Sequence, residues 1–572
     1  MTFRTLFLHP LGPALVLILA GLLVSLAHRL VGWRTAQRRA GWLALGRLAW
    51  ACAAVIGALA VMVMLRQPPV AGSLRWVWQP LTVAGSALEW RLDGWNWLAA
   101  LLILLLTATV LLLEDAAAST PRRRPVSAAR PLWLGAAALA FVFSANVLTL
   151  AVCAMLLDGA LALYLRPGRD GAAVGRVWAS LTLTSWLLLG LLIVLAEEGI
   201  RKPLTGGPFS GFELSLLWLI ALIRAGVYPL HGWLTDPAQP EVHDAVALHL
   251  IVPSTGLWLL ARVYEVAGPK WLHRPEWAAL GALALLGTAL AAWVAEDEGR
   301  RWRWIALNRA SLVVMAAYVA ETAGPSALVW SLVTFSLGSA LLAVGQAIRT
   351  HWAWRLPVWA AALAVWGFPG APGFLARTVL TLPTDPSLNS GGALAVAVPL
   401  FLIILVAETL LVAALWQMAG GARMPAEDSG RPTGAAIIRL SLALGLLAAP
   451  VIAWGLAPAQ LADLAGLRAG ETFPALPWLL AHVRRSVWIG LILSAVAGAA
   501  LGLYRERIFG QMRGWQQGIT AVVSLEWFYR AAGAGLALAG SGLQYFATLG
   551  EGEGYLGWLA LAAVILWVLL RG

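Results

Sequence analysis

The segment LIRAGVYPLHGWLTDPAQPEVHDAVALHL, from Leu222 to Leu250, sets an arginine before a proline and gathers histidines and aspartates after it. Arg224 lies in an apolar run, Pro229 interrupts it, and His231, Asp236, His243, Asp244 and His249 follow. A charge at membrane depth costs several kcal/mol and marks an ion or proton pathway by default. Imidazole is the group that gains and loses a proton near neutral pH. A second stretch of the same kind, GFPGAPGFLAR, places Gly367, Pro369, Pro372 and Gly373 just ahead of Arg377. Two further groups deserve weighing as chemistry. A metal site from His231, His243 and His249 is disfavoured, because His243 and His249 stand six residues apart and face different sides of a helix. The four-cysteine sets of iron–sulfur centres cannot come from Cys52 and Cys153, and no glycine-rich phosphate loop follows a strand. We expect no cofactor, no metal and no catalytic residue, so the chain alone is not expected to be an enzyme.

Composition says where these residues must work. Of 572 residues, 60% are hydrophobic and only 12% charged, against about a quarter charged in soluble domains, with a mean hydropathy of +0.79. Such a chain must bury its surface in lipid. No cleavable leader is expected. The net charge of +12 sits mostly in short loops between apolar runs, which is a topology signal and argues against a nucleic-acid partner. Lys202 and Lys270 are the only lysines, so the basic residues are almost all arginine. The two cysteines lie in apolar runs and read as packing residues.

About sixteen segments reach the roughly 20 residues needed to cross a bilayer. They lie near 11–29, 45–65, 96–113, 131–144, 147–165, 176–196, 212–230, 244–266, 276–295, 303–321, 325–348, 357–381, 392–418, 435–457, 486–504 and 555–571. Continuous apolar runs rather than alternation exclude a barrel, leaving an all-α polytopic membrane protein. Arginines crowd the odd-numbered loops: Arg34, Arg38 and Arg39 in the first, Arg122, Arg123 and Arg124 in the third, Arg300 and Arg301 in the ninth. Those loops are expected on the cytoplasmic side of a cell (inner) membrane, with both termini outside. The second loop also carries Arg66, Arg75 and Arg91. Many of the 32 tryptophans sit at span ends, as an interfacial belt would place them.

Pro229 should break the seventh span, and Gly367 to Gly373 the twelfth. Paired interrupted helices in two halves of a chain point to repeats around a transport path. With these features in view, the chain resembles the antiporter-like proton-channel subunits of respiratory complex I, Mrp-type cation antiporters and membrane-bound hydrogenases. RLDGWNW (Arg91 to Trp97) resembles the entry to the family's third helix, and RAGVYPLHGWL followed by VALHL its basic residue, break and histidine. GFPGAPGFLAR resembles its broken twelfth helix, and EGEGYLGW (Glu551 to Trp558) a closing element. The resemblance covers essentially the whole chain. It implies fourteen core helices: 1–130 for helices 1–3, inverted five-helix repeats at 131–266 and 276–418, then 419–485, with 486–572 appended.

The resemblance also implies roles. Arg224 takes the central lysine position, His249 the bridging histidine and Arg377 the distal lysine, along a proton pathway at mid-membrane. Met155 falls where the family has glutamate, and Asp158, one turn along, is expected to pair with Arg224. His231, Asp236, His243 and Asp244 read as a solvated entrance. The eleventh span departs from the family, with Ser331, Phe335 and Ser339 in place of its histidine and lysine, and the tenth has Trp302 between Arg301 and Arg303 where a lysine is expected. Arginine holds its proton, so Lys-to-Arg replacement predicts attenuated turnover. Two functions follow. One is a proton- or cation-translocating subunit among other membrane subunits. The alternative is a membrane platform for a soluble partner in inorganic-carbon uptake. Residues 504–550 predict a kinked amphipathic segment along the membrane, with a seventeenth span over 531–546 as the competing reading.

Overall fold

Lipid offers no partner for a free N–H or carbonyl, so the chain satisfies its backbone within helices. The computed structural model describes residues 9–32, 40–65, 74–78, 87–114, 129–165, 177, 181–188, 190–191, 202–206, 209–234, 242–384, 392–421, 434–465, 480, 483–511 and 513–551. Two contact units divide the chain, Met1–Met512 and Arg513–Gly572.

In the first unit, α1 (Gly12–Gly32) and α2 (Ala40–Met64) precede a β1–β2 hairpin (Leu74–Trp78 and Leu88–Leu92). Then come α3 (Gly94–Glu114), α4 (Ala129–Val142), α5 (Val147–Tyr164) and α6 (Gly211–Ala225). The middle of the chain holds α7 (Val242–Ala267), α8 (Pro275–Val294), α9 (Glu298–Ala323) and α10 (Ser326–Trp352). Next are α11 (Leu356–Trp366), α12 (Pro372–Thr384), α13 (Gly392–Gly420), α14 (Gly434–Leu456) and α15 (Arg485–Leu503). Eight described helices are long and apolar enough to cross a membrane by length and composition, which makes this a multi-pass membrane protein. Eight is fewer than the sixteen apolar segments of the sequence. Helix α9 carries too many charges to qualify, the broken helices are short in each half, and the segment near 555–571 lies outside the described residues.

The hairpin is an addition to an otherwise helical expectation. RWVW and LEWRL are short, aromatic and alternating, which suits a strand pair. Its second strand extends into the turn between α4 and α5, where the Ala145 N–H donates to the Glu89 carbonyl at 2.9 Å. Asn146 then caps α5, its Oδ1 accepting from the Thr149 N–H at 2.8 Å while its Nδ2 donates to the Ala87 carbonyl at 3.0 Å. That network separates two helices that the sequence left joined by three residues.

The first break comes at Gly226, three residues ahead of Pro229. Gly226 is left-handed (φ 62°), a conformation glycine adopts without penalty, and a Cβ there would strike the Leu234 side chain. The loosened end of α6 is held by Trp233, whose indole N–H donates to the Ile223 carbonyl at 2.9 Å. The second break runs from Gly367 (φ 117°) through Gly370 (φ 89°), and Pro372 starts α12 as its first residue. A Cβ on Gly373 would lie 2.4 Å from the Ala364 carbonyl oxygen, so the two half-helices meet backbone to backbone.

Two wide π turns, not foreseen from the sequence, interrupt otherwise regular helices: Ala247–Ile251 within α7 and Thr334–Gly338 within α10. The Ser254 and Ser336 hydroxyls, 3.4 Å apart, link the regions. Such turns recur at functional sites because they swing side chains out of helical register.

In the second unit, Arg513–Val523 and Glu526–Glu551 are helices separated at Leu525, which has φ 55°. This is the kinked element expected of the sequence, and 531–546 lies inside its longer arm.

Close approach of α6 and α7 depends on Gly256. A Cβ there would sit 2.3 Å from the Ala225 nitrogen and 2.7 Å from the Arg224 carbonyl carbon. Gly256→Val should cost about 2 kcal/mol or more. In detergent, the variant should unfold at a clearly lower temperature; an unchanged midpoint would mean the helices do not cross this tightly.

Candidate functional site: buried arginines and their carboxylates

Arg224 occupies the last turn of α6, immediately before the break, and is fully buried. Its Nη2 pairs with Asp158 Oδ1 on α5 and reaches the Ala154 carbonyl at 3.3 Å. Nη1 donates to Thr184 Oγ1 at 2.8 Å, and the guanidinium lies 5.0 Å over the Phe141 ring. The Ser185 hydroxyl donates to the other Asp158 oxygen at 2.8 Å. A cavity of about 10 Å³ opens beside Asp158, just enough for one water. Met155, one turn earlier on α5, is about half exposed and offers Arg224 nothing.

His249 sits in the π turn of α7. Its Nδ1 lies 3.0 Å from the Ala245 carbonyl and its Nε2 3.0 Å from the Leu234 carbonyl, and its ring meets Trp302 edge-on at 5.8 Å. A neutral imidazole has one N–H for these two acceptors, whereas an imidazolium has two. The guanidinium of Arg224 donates to Asp158, Thr184 and Ala154 and not to His249. The row is therefore a series of separate stations.

Arg377 opens the third station, in α12 after the second break. Its Nη2 donates to the Gly490 carbonyl at 2.9 Å and to Ser494 Oγ at 2.8 Å on α15. Nη1 stands 4.0 Å from Glu408 Oε2 on α13. Glu408 is shared, because its Oε1 accepts from Arg309 Nη2 on α9 at 2.7 Å. Asn308 steadies Arg309 through Oδ1, at 2.6 Å from Nη2 and 3.1 Å from Nε. Two buried guanidiniums thus surround one buried carboxylate. Sequence reasoning missed both Arg309 and Glu408. The signal was present, a charge inside an apolar run, in ILVAETLLVA and ALNRASLVV. Looking for a lysine near Trp302, seven residues earlier, concealed Arg309.

The expected solvated entrance takes a different form. His231 is fully buried, stacked on Tyr228 at 5.0 Å and against Trp304 at 4.9 Å. His243 is buried too, with Nε2 3.4 Å from Asp244 Oδ1. The helix break tucks the HGWL residues back under α6, which takes His231 away from solvent. Asp236 lies outside the described residues. Among the described residues, no three His, Cys, Asp or Glu side chains converge as metal ligands would.

RLDGWNW has a structural use. Asp93 and Asn96, at the start of α3, bind Arg262 from α7: Nη2 donates to both Asp93 oxygens at 2.5 Å, and Nη1 to Glu265 at 2.5 Å. The Trp258 indole donates to Asn96 Oδ1 at 2.9 Å. This clamp joins the helix carrying His249 to α3.

Among solved structures, the chain is similar to one in the Mrp complex from Dietzia sp. DQ12-45-1b, with a TM-score of 0.73 at 18% identity. The match covers 97% of this chain and 62% of that one, so the chain spans under two thirds of the length of its structural neighbour. No family model and no curated protein sequence matches.

Removing the shared carboxylate should be the costliest single change at these stations. Glu408→Gln leaves Arg309 and Arg377 facing one another without a counter-charge, a loss of about 3–5 kcal/mol by analogy with broken buried pairs. We expect little monodisperse protein on size exclusion, with partial recovery when Arg377→Met is added. Full recovery of wild-type behaviour by Glu408→Gln alone would contradict the assignment.

Proposed function

We propose that the chain is a proton- or cation-translocating antiporter-like subunit of a multisubunit membrane assembly. The reading is carried by one observation above all: a fully buried Arg224, at the open end of a broken helix, paired with a partly buried Asp158. A charge pair of this kind is expensive in lipid and is kept where ions or protons pass. His249 continues the path on α7, and Arg377, Arg309 and Glu408 extend it into the second half of the bundle. Its resemblance to the antiporter-like family supports two inverted repeats, and loop arginines support an inner-membrane location with both termini outside.

Other membrane subunits are the expected partners, in keeping with the neighbour's being part of an Mrp complex. The second reading, a platform holding a soluble partner for inorganic-carbon uptake, draws on the arginines. A guanidinium does not deprotonate, and the stretch from Ser331 to Ser339 offers hydroxyls rather than a relay base. In the translocation reading, Arg224 is a fixed charge that biases Asp158 and slows passage.

Proteoliposomes containing a pH-sensitive dye separate the two. With an imposed ion gradient, wild-type vesicles should acidify or alkalinise measurably above empty ones, and Arg224→Lys should raise the rate several-fold. No flux above empty vesicles in either protein would remove the translocation reading and leave the platform.

A further inference from the structure

Away from the ion-pair stations, a cavity of about 160 Å³ opens between the start of α7, the first turn of α9 and the last turns of α10. That volume admits several waters. Its walls include the polar side chains of Asp297, Glu298, Arg303, Gln346 and Thr350, while Ala343 and Ala347 leave the space open.

Two wall residues touch His249 directly. Ala245 contributes the carbonyl 3.0 Å from Nδ1, and Trp302 contributes the ring against which the imidazole rests at 5.8 Å. Trp302 is held in place by its indole N–H, which donates to the Ser339 carbonyl at 2.9 Å beside the π turn of α10. One tryptophan therefore stands between the cavity and the central histidine.

The carboxylate on the wall is secured from several sides. Glu298 pairs with Arg349 of α10, whose Nη1 also donates to the Met418 carbonyl at the end of α13, and Gln346 Nε2 lies 3.4 Å from Glu298 Oε2. The turn that presents Asp297 and Glu298 is fixed from behind. Arg505 donates to the Trp293, Val294 and Ala295 carbonyls at 3.0 to 3.2 Å, and Arg301 to the Ala295 carbonyl at 2.6 Å. These cations close the carbonyl end of α8, where a positive charge is favoured.

We propose that this cavity is a hydrated vestibule from which protons reach His249, with Glu298 as the carboxylate that meets them and Trp302 as the gate. It takes over the part that the sequence assigned to His231, Asp236, His243 and Asp244, and it rests on the translocation reading above. The narrow passage past one indole ring suits a proton handed along waters better than a hydrated metal cation.

The test uses the full chain in vesicles with Cys52 and Cys153 replaced by serine, and Ala347→Cys as the only thiol. Because modification follows folding, a block cannot be blamed on misfolding. A membrane-impermeant maleimide should react with the Ala347→Cys protein and lower proton flux on the order of tenfold. A thiol on lipid-facing Ile489, introduced as Ile489→Cys, should leave flux unchanged after the same treatment. An Ala347→Cys thiol that stays unreactive from both sides, or reacts without changing flux, overturns the vestibule. If the unmodified protein carries no flux, the translocation reading fails by itself. Thiol reactivity then still decides whether the cavity is open to water, with an unreactive thiol refuting it.

Discussion

A guanidinium at membrane depth has to meet a carboxylate, and most of this architecture follows from where the carboxylates are. Arg224 has Asp158; Arg309 and Arg377 divide Glu408; Arg262 has Asp93 and Glu265; Arg349 has Glu298. Apart from Arg262–Glu265, which lies within α7, each pair joins two different elements, so the charges register the bundle as well as neutralise one another. Lipid-like surroundings supply little hydrophobic drive between helices, which leaves close packing and polar contacts to choose the neighbours. Gly256 lets α7 approach α6 beside Arg224, and Gly373 lets α12 approach the end of α11 just ahead of Arg377.

The breaks and π turns place functional atoms where a straight helix would not. At Gly226 the chain leaves α6 just after Arg224, so carbonyls that would have been bonded within the helix become available to Trp233 and its neighbours. At His249 the wide turn lets one imidazole face two carbonyls, Ala245 on its own helix and Leu234 from the segment that follows the first break.

Much of this was legible in the sequence because membrane depth makes charge conspicuous. Arg224, Asp158, Arg377 and both breaks could be named from an apolar background interrupted by Arg, Pro and Gly. Other features were hidden for definite reasons. Glu408 and Arg309 were equally conspicuous but lay where the family resemblance directed attention elsewhere. The π turns have no composition of their own, since ALHLI and TFSLG read as ordinary helix. The burial of His231 depends on tertiary folding of the HGWL turn beneath α6, which spacing does not encode. The hairpin around Trp76 and Trp90 looked like interfacial tryptophan, because aromatic alternation over five residues serves either purpose.

The claim that buried arginines are held by carboxylates is tested most directly by a double-mutant cycle on Asp158 and Arg224. Thermal unfolding in detergent would be compared for the parent, Asp158→Asn, Arg224→Gln and the double variant. If the pair is a unit, Asp158→Asn should be the most damaging, and adding Arg224→Gln should restore much of the loss, with a coupling of about 2–3 kcal/mol. Strictly additive effects, with the double variant the least stable of the four, would contradict it.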